Sequence, residues 1–301
     1  SNLPLKLARS ARMDPMLIAE SIISRLPLVE EVSQVEAARP GFLNFRIKNE
    51  WFTSQVESIL KSGMNYGSSS FGRGVKIQLE FVSVNPTGPL HVGHGRGAVL
   101  GSALERVLRD CGFSVFTEYY INDAGNQIDN FSRTLLARCY QSMGKDEPIP
   151  EEGYHGQYMV DLAKEIIQSE GDKLLHLPMD EALKKLRVIG LEKMLSWIRT
   201  DLKKLHVEFD NWFSESSLME GGQFQEAFSI LKDKGYIAEK EGAIWFSSTA
   251  LGENKDNVLI RGNTSPTYFA TDIAYHYDKF KKRNFDRVID IWGADHQGHV
   301  S

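Results

Sequence analysis

Two strand-like runs joined through a helix constrain this chain more than any other feature. Val75 to Val82 reads as a strand, a Pro- and Gly-rich turn follows, Ala98 to Leu108 reads as a helix, and Phe113 to Tyr120 is the next strand. A helical crossover of this length joins parallel neighbours, whereas antiparallel strands need only a short hairpin. The expected class is therefore α/β, with a parallel sheet and helices packed on it.

Composition narrows the setting. Of the 301 residues, 42% are hydrophobic and 25% charged, as in a globular protein, and the length suggests two domains. No apolar run approaches the ~18 to 20 residues that span a bilayer, and Ser1-Asn2-Leu3-Pro4-Leu5-Lys6 carries no signal-peptide pattern, so a cytoplasmic location and no membrane partner are expected. Cys111 and Cys139 lie far apart with no C-x-x-C pair, which argues against a disulfide framework or a structural zinc and for two packing cysteines. The formal charge of −5 gives no basic footprint. A nucleic-acid partner then requires a local basic stripe on an otherwise acidic surface.

Before the sheet, Pro15 to Leu26 has helical spacing, Val32 to Val35 and Gly41 to Ile47 are strand-like, and Glu50 to Leu60 is helical again. This is a small α+β domain, residues 1–70. The Gly- and Ser-rich segment 67–74 is the expected boundary, followed by a larger domain over 71–301. Inside it a mostly helical insertion is expected at about 130–250, with Leu162, Ile166, Leu183, Leu186, Leu191, Leu195 and Ile198 as core positions. Phe285 to Gly293 reads as a further strand and turn.

The segment Asn85-Pro86-Thr87-Gly88-Pro89-Leu90-His91-Val92-Gly93-His94-Gly95-Arg96-Gly97 carries the chemistry. A strand ends, the backbone turns and a helix begins, so free N–H groups and the positive helix end face the carboxyl edge of the sheet, where phosphate binds. His91 and His94 share one face of that first turn and can donate to a triphosphate. Gly93 between them leaves room for a base or ribose to approach. A metal-binding pair is the competing reading, but no third or fourth ligand has convincing spacing.

His91-Val92-Gly93-His94 resembles the HIGH motif of class I aminoacyl-tRNA synthetases and related nucleotidyltransferases. Glu80 to Leu90, Tyr119 to Gln127, Tyr268 to Asp272 and Trp292 to His296 resemble the arginyl-tRNA synthetases, in that order and across nearly the whole chain. The resemblance implies a Rossmann-like catalytic domain, a helical insertion and an N-terminal domain that touches tRNA. It further implies ATP with Mg2+ as substrate, L-arginine and tRNA(Arg) as partners, no zinc, and a monomer. His91 and His94 are then catalytic through charge stabilisation at the phosphates, since attack of a carboxylate on the α-phosphate needs positioning rather than an acid or base.

By the same correspondence Gly88, His91, Gly93, His94, Gly293, Asp295 and His296 contact ATP. Arginine carries five donors on a guanidinium that keeps its charge, so its pocket needs carboxylates. Glu80 and Asn85 are expected at its amino and carboxylate end, Tyr268 and Asp272 at the guanidinium, with Asp123 as a further acid. The alternatives are a helix cap for Asp272, a core aromatic for Tyr268 and a plain turn for Asp295-His296. Another H-x-G-H nucleotidyltransferase and a non-catalytic tRNA-binding fragment are the competing functions. The family's lysine-rich second ATP signature falls outside these residues, and Gly88 occupies the place where some arginyl enzymes carry a compensating lysine. The 301 residues alone are thus expected to bind ATP or arginine weakly and to form no adenylate.

Overall fold

The structure is a computed structural model and describes residues 1–301 except Leu28, Thr264 and 294–301. The chain forms two compact units, Ser1–Ser68 and Ser69–Ser301.

In the first unit, α1 (Leu3–Ala11) and α2 (Pro15–Ile23) precede the hairpin of β1 (Val32–Ala38) and β2 (Phe42–Ile47), and α3 (Asn49–Ser62) follows. Asp14 accepts the Met16 N–H at 2.8 Å, and Pro15 at the first helical position has no N–H to leave unpaired, so α2 starts where the sequence dictates. The hairpin pairs antiparallel, Val35 opposite Phe45, and Leu43, Ile18 and Ala19 form the small core. Helix α1, which carries Lys6 and Arg9 among its apolar residues, was not part of the sequence reading.

The second unit is built on four parallel strands in the order β5-β4-β3-β9: β3 (Lys76–Phe81), β4 (Ser114–Ile121), β5 (Asn211–Ser214) and β9 (Arg287–Ile291). Helix α4 (Val92–Asp110) makes the crossover from β3 to β4. It approaches so closely that a Cβ on Gly101 would lie 2.2 Å from the Phe81 ring. From Ser69 the Gly- and Ser-rich segment is tied to the end of that crossover, through Ser69 N–H to Asp110 O, Gly72 N–H to Cys111 O and Gly74 N–H to Gly112 O.

Helices α5 (Asn126–Ser142), α6 (Gln157–Glu170) and α7 (Met179–Lys204) lie between β4 and β5 and bury Leu162, Ile166, Leu186, Leu191 and Ile198, with Leu183 and Leu195 packed at the margin. All join one core with Leu79, Phe81, Tyr119 and Ile121 on one face of the sheet. Each such side chain contributes about 1.5 to 3 kcal/mol when fully buried. Short strands interrupt the mostly helical segment that runs to about residue 250. Asn211–Ser214 extends the parallel sheet, and after α8 (Ser216–Glu220) and α9 (Gln223–Asp233) a separate antiparallel sheet forms from β6 (Ile237–Lys240), β7 (Ala243–Phe246) and β8 (Asn257–Ile260). These strands are only four residues long, too short for period-two alternation to stand out.

Helix α10 (Tyr268–Tyr277) and a π-helical turn (Asp278–Lys282) then cross to β9. They cover the other face of the sheet, where β3 and β4 present Gln78, Glu80 and Glu118 instead of apolar residues.

Candidate active site

His91 caps α4. Its Nδ1 accepts the Gly93 N–H at 3.1 Å, while His94 Nδ1 accepts the His91 N–H at 3.3 Å, a reciprocal capping box made by two imidazoles. A neutral ring that accepts at Nδ1 carries its proton on Nε2, so each histidine keeps an N–H donor on its other ring nitrogen. The expectation that these first-turn amides stand free for phosphate is therefore corrected: the imidazoles take two of them. Space over Gly93 is also taken, since a Cβ there would lie 2.9 Å from the His91 ring. A side chain at this position would have to displace the His91 ring.

The strand end behind this turn is held from several sides. Val82 and Ser83 have φ of 69° and 40°, and the Ser83 N–H returns to Phe81 O at 3.0 Å, a tight reversal that a β-branched residue adopts only at a cost of about 1 to 3 kcal/mol. Tyr119 Oη donates to Val84 O at 2.9 Å, and the Tyr120 N–H donates to Ser83 Oγ at 3.0 Å. Asn85 Nδ2 donates to Gln127 Oε1 at 2.5 Å. Tyr158 of α6 donates to Thr87 O at 2.9 Å and lies against Gly88, so the insertion buttresses the turn.

A cluster of acids lies at the carboxyl ends of β4 and β5. Glu215, which directly follows β5, is 7% exposed. Burial pushes its carboxyl up to about 7, Asp123 and Asp272 adding to the push and hydrogen bonds from Thr271 and Tyr120 opposing it. With its amide turned to donate, Asn122 reaches Glu215 Oε2 at 3.1 Å. Burial beside Glu215, Asp272 and Glu80 raises Tyr120 well above the ordinary phenol value, which keeps it a donor. Carboxylates crowded in this way favour a cationic guest with several donors.

The expected arginine residues divide. Tyr268 and Asp272 stand one turn apart on α10. Tyr268 is exposed rather than a core aromatic, and the cap of α10 is Thr267, not Asp272. The Asp123 carboxylate is engaged by the Ser214 hydroxyl, the Ser216 N–H at 3.0 Å and the Ser216 hydroxyl at 3.1 Å, so it shapes the turn that carries Glu215. Glu80 is buried, with Lys279 Nζ at 2.8 Å from its Oε2. Gly293 follows β9 and is exposed, whereas Asp295 and His296 lie outside the described residues. Sequence reasoning missed Glu215 because β5 was missed; an acid directly after a sheet strand is the signal that finds it. Among the described residues no group of three His, Cys, Asp or Glu side chains is arranged to hold a metal ion. Burial raises the Cys139 thiol to about 12, as in an inert packing cysteine.

A family model described as tRNA synthetases class I (R), catalytic domain, matches residues 55–301, and one described as arginyl tRNA synthetase N terminal domain matches residues 1–47. The chain belongs to the class I tRNA synthetases (R). Within that family, a protein of Dehalococcoides mccartyi named arginine–tRNA ligase is 54% identical over 301 residues, which are all of this chain and 54% of that protein. One of the same name from Carboxydothermus hydrogenoformans is 47% identical over 301 residues, again all of this chain and 54% of that protein. A crystal structure from Campylobacter jejuni, assigned as an arginyl tRNA synthetase, superposes with a TM-score of 0.77 at 36% identity, covering 84% of this chain and 55% of that one. The chain spans about half the length of these curated relatives. In this class I synthetase sheet the histidine turn follows β3, and the acids Asp123 and Glu215 follow β4 and β5 at the same carboxyl edge.

Proposed function

We propose that the full-length protein is an arginine–tRNA ligase, which activates L-arginine with ATP and transfers it to tRNA(Arg). The observation that carries this reading is the cluster of Glu215, Asp272 and Asp123 at the carboxyl ends of β4 and β5, with Glu215 buried among its acidic neighbours. A guest that brings a permanent, planar, five-donor cation relieves that repulsion and satisfies the acceptors together. Tyr268 and Asp272 face the guanidinium, Asp123 fixes Glu215, and Glu80 with Asn85 serves the amino and carboxylate end.

The α-phosphate of ATP is attacked by the arginine carboxylate, an oxygen–phosphorus bond forms and pyrophosphate leaves. His91 and His94 direct their Nε2–H donors at the negative charge that develops on the phosphates, an interaction stronger in the transition state than in the ground state. Gly88, Gly93, Gly293, Asp295 and His296 complete the ATP site. Mg2+ accompanies ATP on its phosphates as part of the substrate, and no structural zinc is needed. The first unit meets tRNA, and the protein works as a cytoplasmic monomer. No helix among the described residues is long and apolar enough to cross a membrane.

ATP–pyrophosphate exchange by the full-length protein, with cognate tRNA and each amino acid in turn, tests the reading. Exchange that depends on arginine is expected. Exchange with another amino acid, or exchange needing none, overturns it. Residues 1–301 alone are expected to exchange far more slowly. A rate near that of the whole protein places the phosphate-binding cation within these residues, with Arg96 the first candidate.

A further inference from the structure

Three neighbouring parallel strands carry an acid at the same level. Glu118 of β4 and Asp290 of β9 are the register partners of Glu80 in β3. Strands lie about 4.8 Å apart, so three carboxylates stand in one row on a face that is largely shielded from water. Repulsion along such a row is severe unless cations enter it.

Lys279 and Arg283, from the segment that follows α10, enter it, and His276 of α10 also reaches Asp290, its Nε2 3.6 Å from Oδ2. Lys279 has no exposed surface, donates at 2.8 Å to both Glu80 Oε2 and Asp290 Oδ1, and sits 3.9 Å from the centroid of the Tyr275 ring. Arg283 spans both oxygens of Glu118, with Nη2 at 2.9 Å from Oε1. Lys279 belongs to the π-helical turn Asp278–Lys282, and Arg283 directly follows it. Such a turn adds a residue to the helical repeat and re-aims every side chain after it. The preceding helix α10 carries Tyr268 at its start and Asp272 one turn on, the latter close enough to raise Glu215.

Resting on the arginine reading above, we propose that Lys279 is a positioning residue for the amino-acid subsite, acting on the substrate through Glu80, whose carboxylate it orients across the end of β3. Lys279 also opposes the pull of burial, which favours the neutral form of Glu80. Without it, Asp290 keeps His276, whose Nε2 lies 3.6 Å from its Oδ2, while Glu80 loses its cation and burial drives it toward the neutral form. The subsite then loses a carboxylate where the substrate's ammonium needs one.

The test uses the full-length protein in tRNA-dependent ATP–pyrophosphate exchange. Lys279→Met is expected to raise the arginine KM about tenfold or more, with the ATP KM held within about twofold, the scale of coupling between contacting residues. In a Glu80→Gln background the same substitution is expected to change the arginine KM by less than about twofold, because the group it acts through is already gone. Equal rises in both KM values, or effects that multiply across the two backgrounds, overturn the inference and leave Lys279 a structural residue only. Should Lys279→Met fail to fold, Lys279→Met with Asp290→Asn removes the uncompensated charge, and the same split in KM is expected of it. Wild-type exchange that ignores arginine sinks the underlying reading instead. Wild-type exchange that needs arginine, with an arginine KM indifferent to Lys279, sinks this inference alone.

Discussion

The His91 and His94 rings stack with centroids 3.5 Å apart and 24° between their planes, each accepting a backbone N–H from the turn that the other helps to cap. One pair of side chains thus stabilises the start of α4 and orients two N–H donors. The two roles can be separated. His91→Ala loses both and is expected to cost about 1 kcal/mol of stability as well as adenylate formation. His91→Asn restores a good cap without an imidazole donor, and is expected to regain the stability but not the rate. The rate loss is expected in kcat more than in the ATP KM, as for a contact made mainly in the transition state. Full activity in His91→Asn would falsify the catalytic role.

Asp272→Asn keeps the shape of the pocket and removes its charge. Arginine binding is expected to weaken by about 1.5 to 3 kcal/mol, the range for hydrogen bonds to charged groups, while ATP binding holds. Titration calorimetry with each ligand decides it, and the opposite pattern, ATP weakened and arginine unaffected, removes Asp272 from the amino-acid site.

Glu215 makes the pocket sensitive to pH. Its folded value of about 7 lies above the ordinary 4.5, so its contribution to stability is fully present below about 4.5 and is lost as pH rises through 7. Glu215→Gln has no such loss. Relative to wild type it is expected to gain about 2 to 3 kcal/mol between pH 4.5 and 8, read from thermal midpoints across that range. A bound guanidinium favours the ionised form, so arginine binding near pH 7 is expected to release a proton. Calorimetry in buffers of different ionisation enthalpy measures that release, and a value of zero contradicts a contact between Glu215 and the cation.

Gly101 sets the distance between α4 and β3. With a Cβ only 2.2 Å from the Phe81 ring, Gly101→Ala is expected to destabilise by about 1 to 3 kcal/mol. Gly97, on the same helix, has nothing within 4 Å of its would-be Cβ, and Gly97→Ala is expected to be neutral or stabilising by up to about 1 kcal/mol. Similar losses at both positions point to flexibility of the helix start instead of close packing.

Local chemistry made much of this protein legible in one dimension. Residues 75–120 spell a βαβ unit because strand and helix periods differ, and the cap of α2 follows from Asp14-Pro15 alone. His91 and His94 stood out because their spacing coincides with a strand-to-helix turn. Tertiary structure decided what each of these residues touches. Nothing in the order of residues tells that Glu118, Glu80 and Asp290 share a row, because Glu80 and Asp290 come from strands separated by most of the chain. Nor does it tell that Lys279 and Arg283 neutralise that row, that Asp123 is occupied by Ser214 and Ser216, or that Glu215 is the acid held near pH 7. Periodicity reports which face of an element is buried. Charge pairing and pKa depend on distances across strands and on exclusion of water, and those exist only once the sheet has assembled.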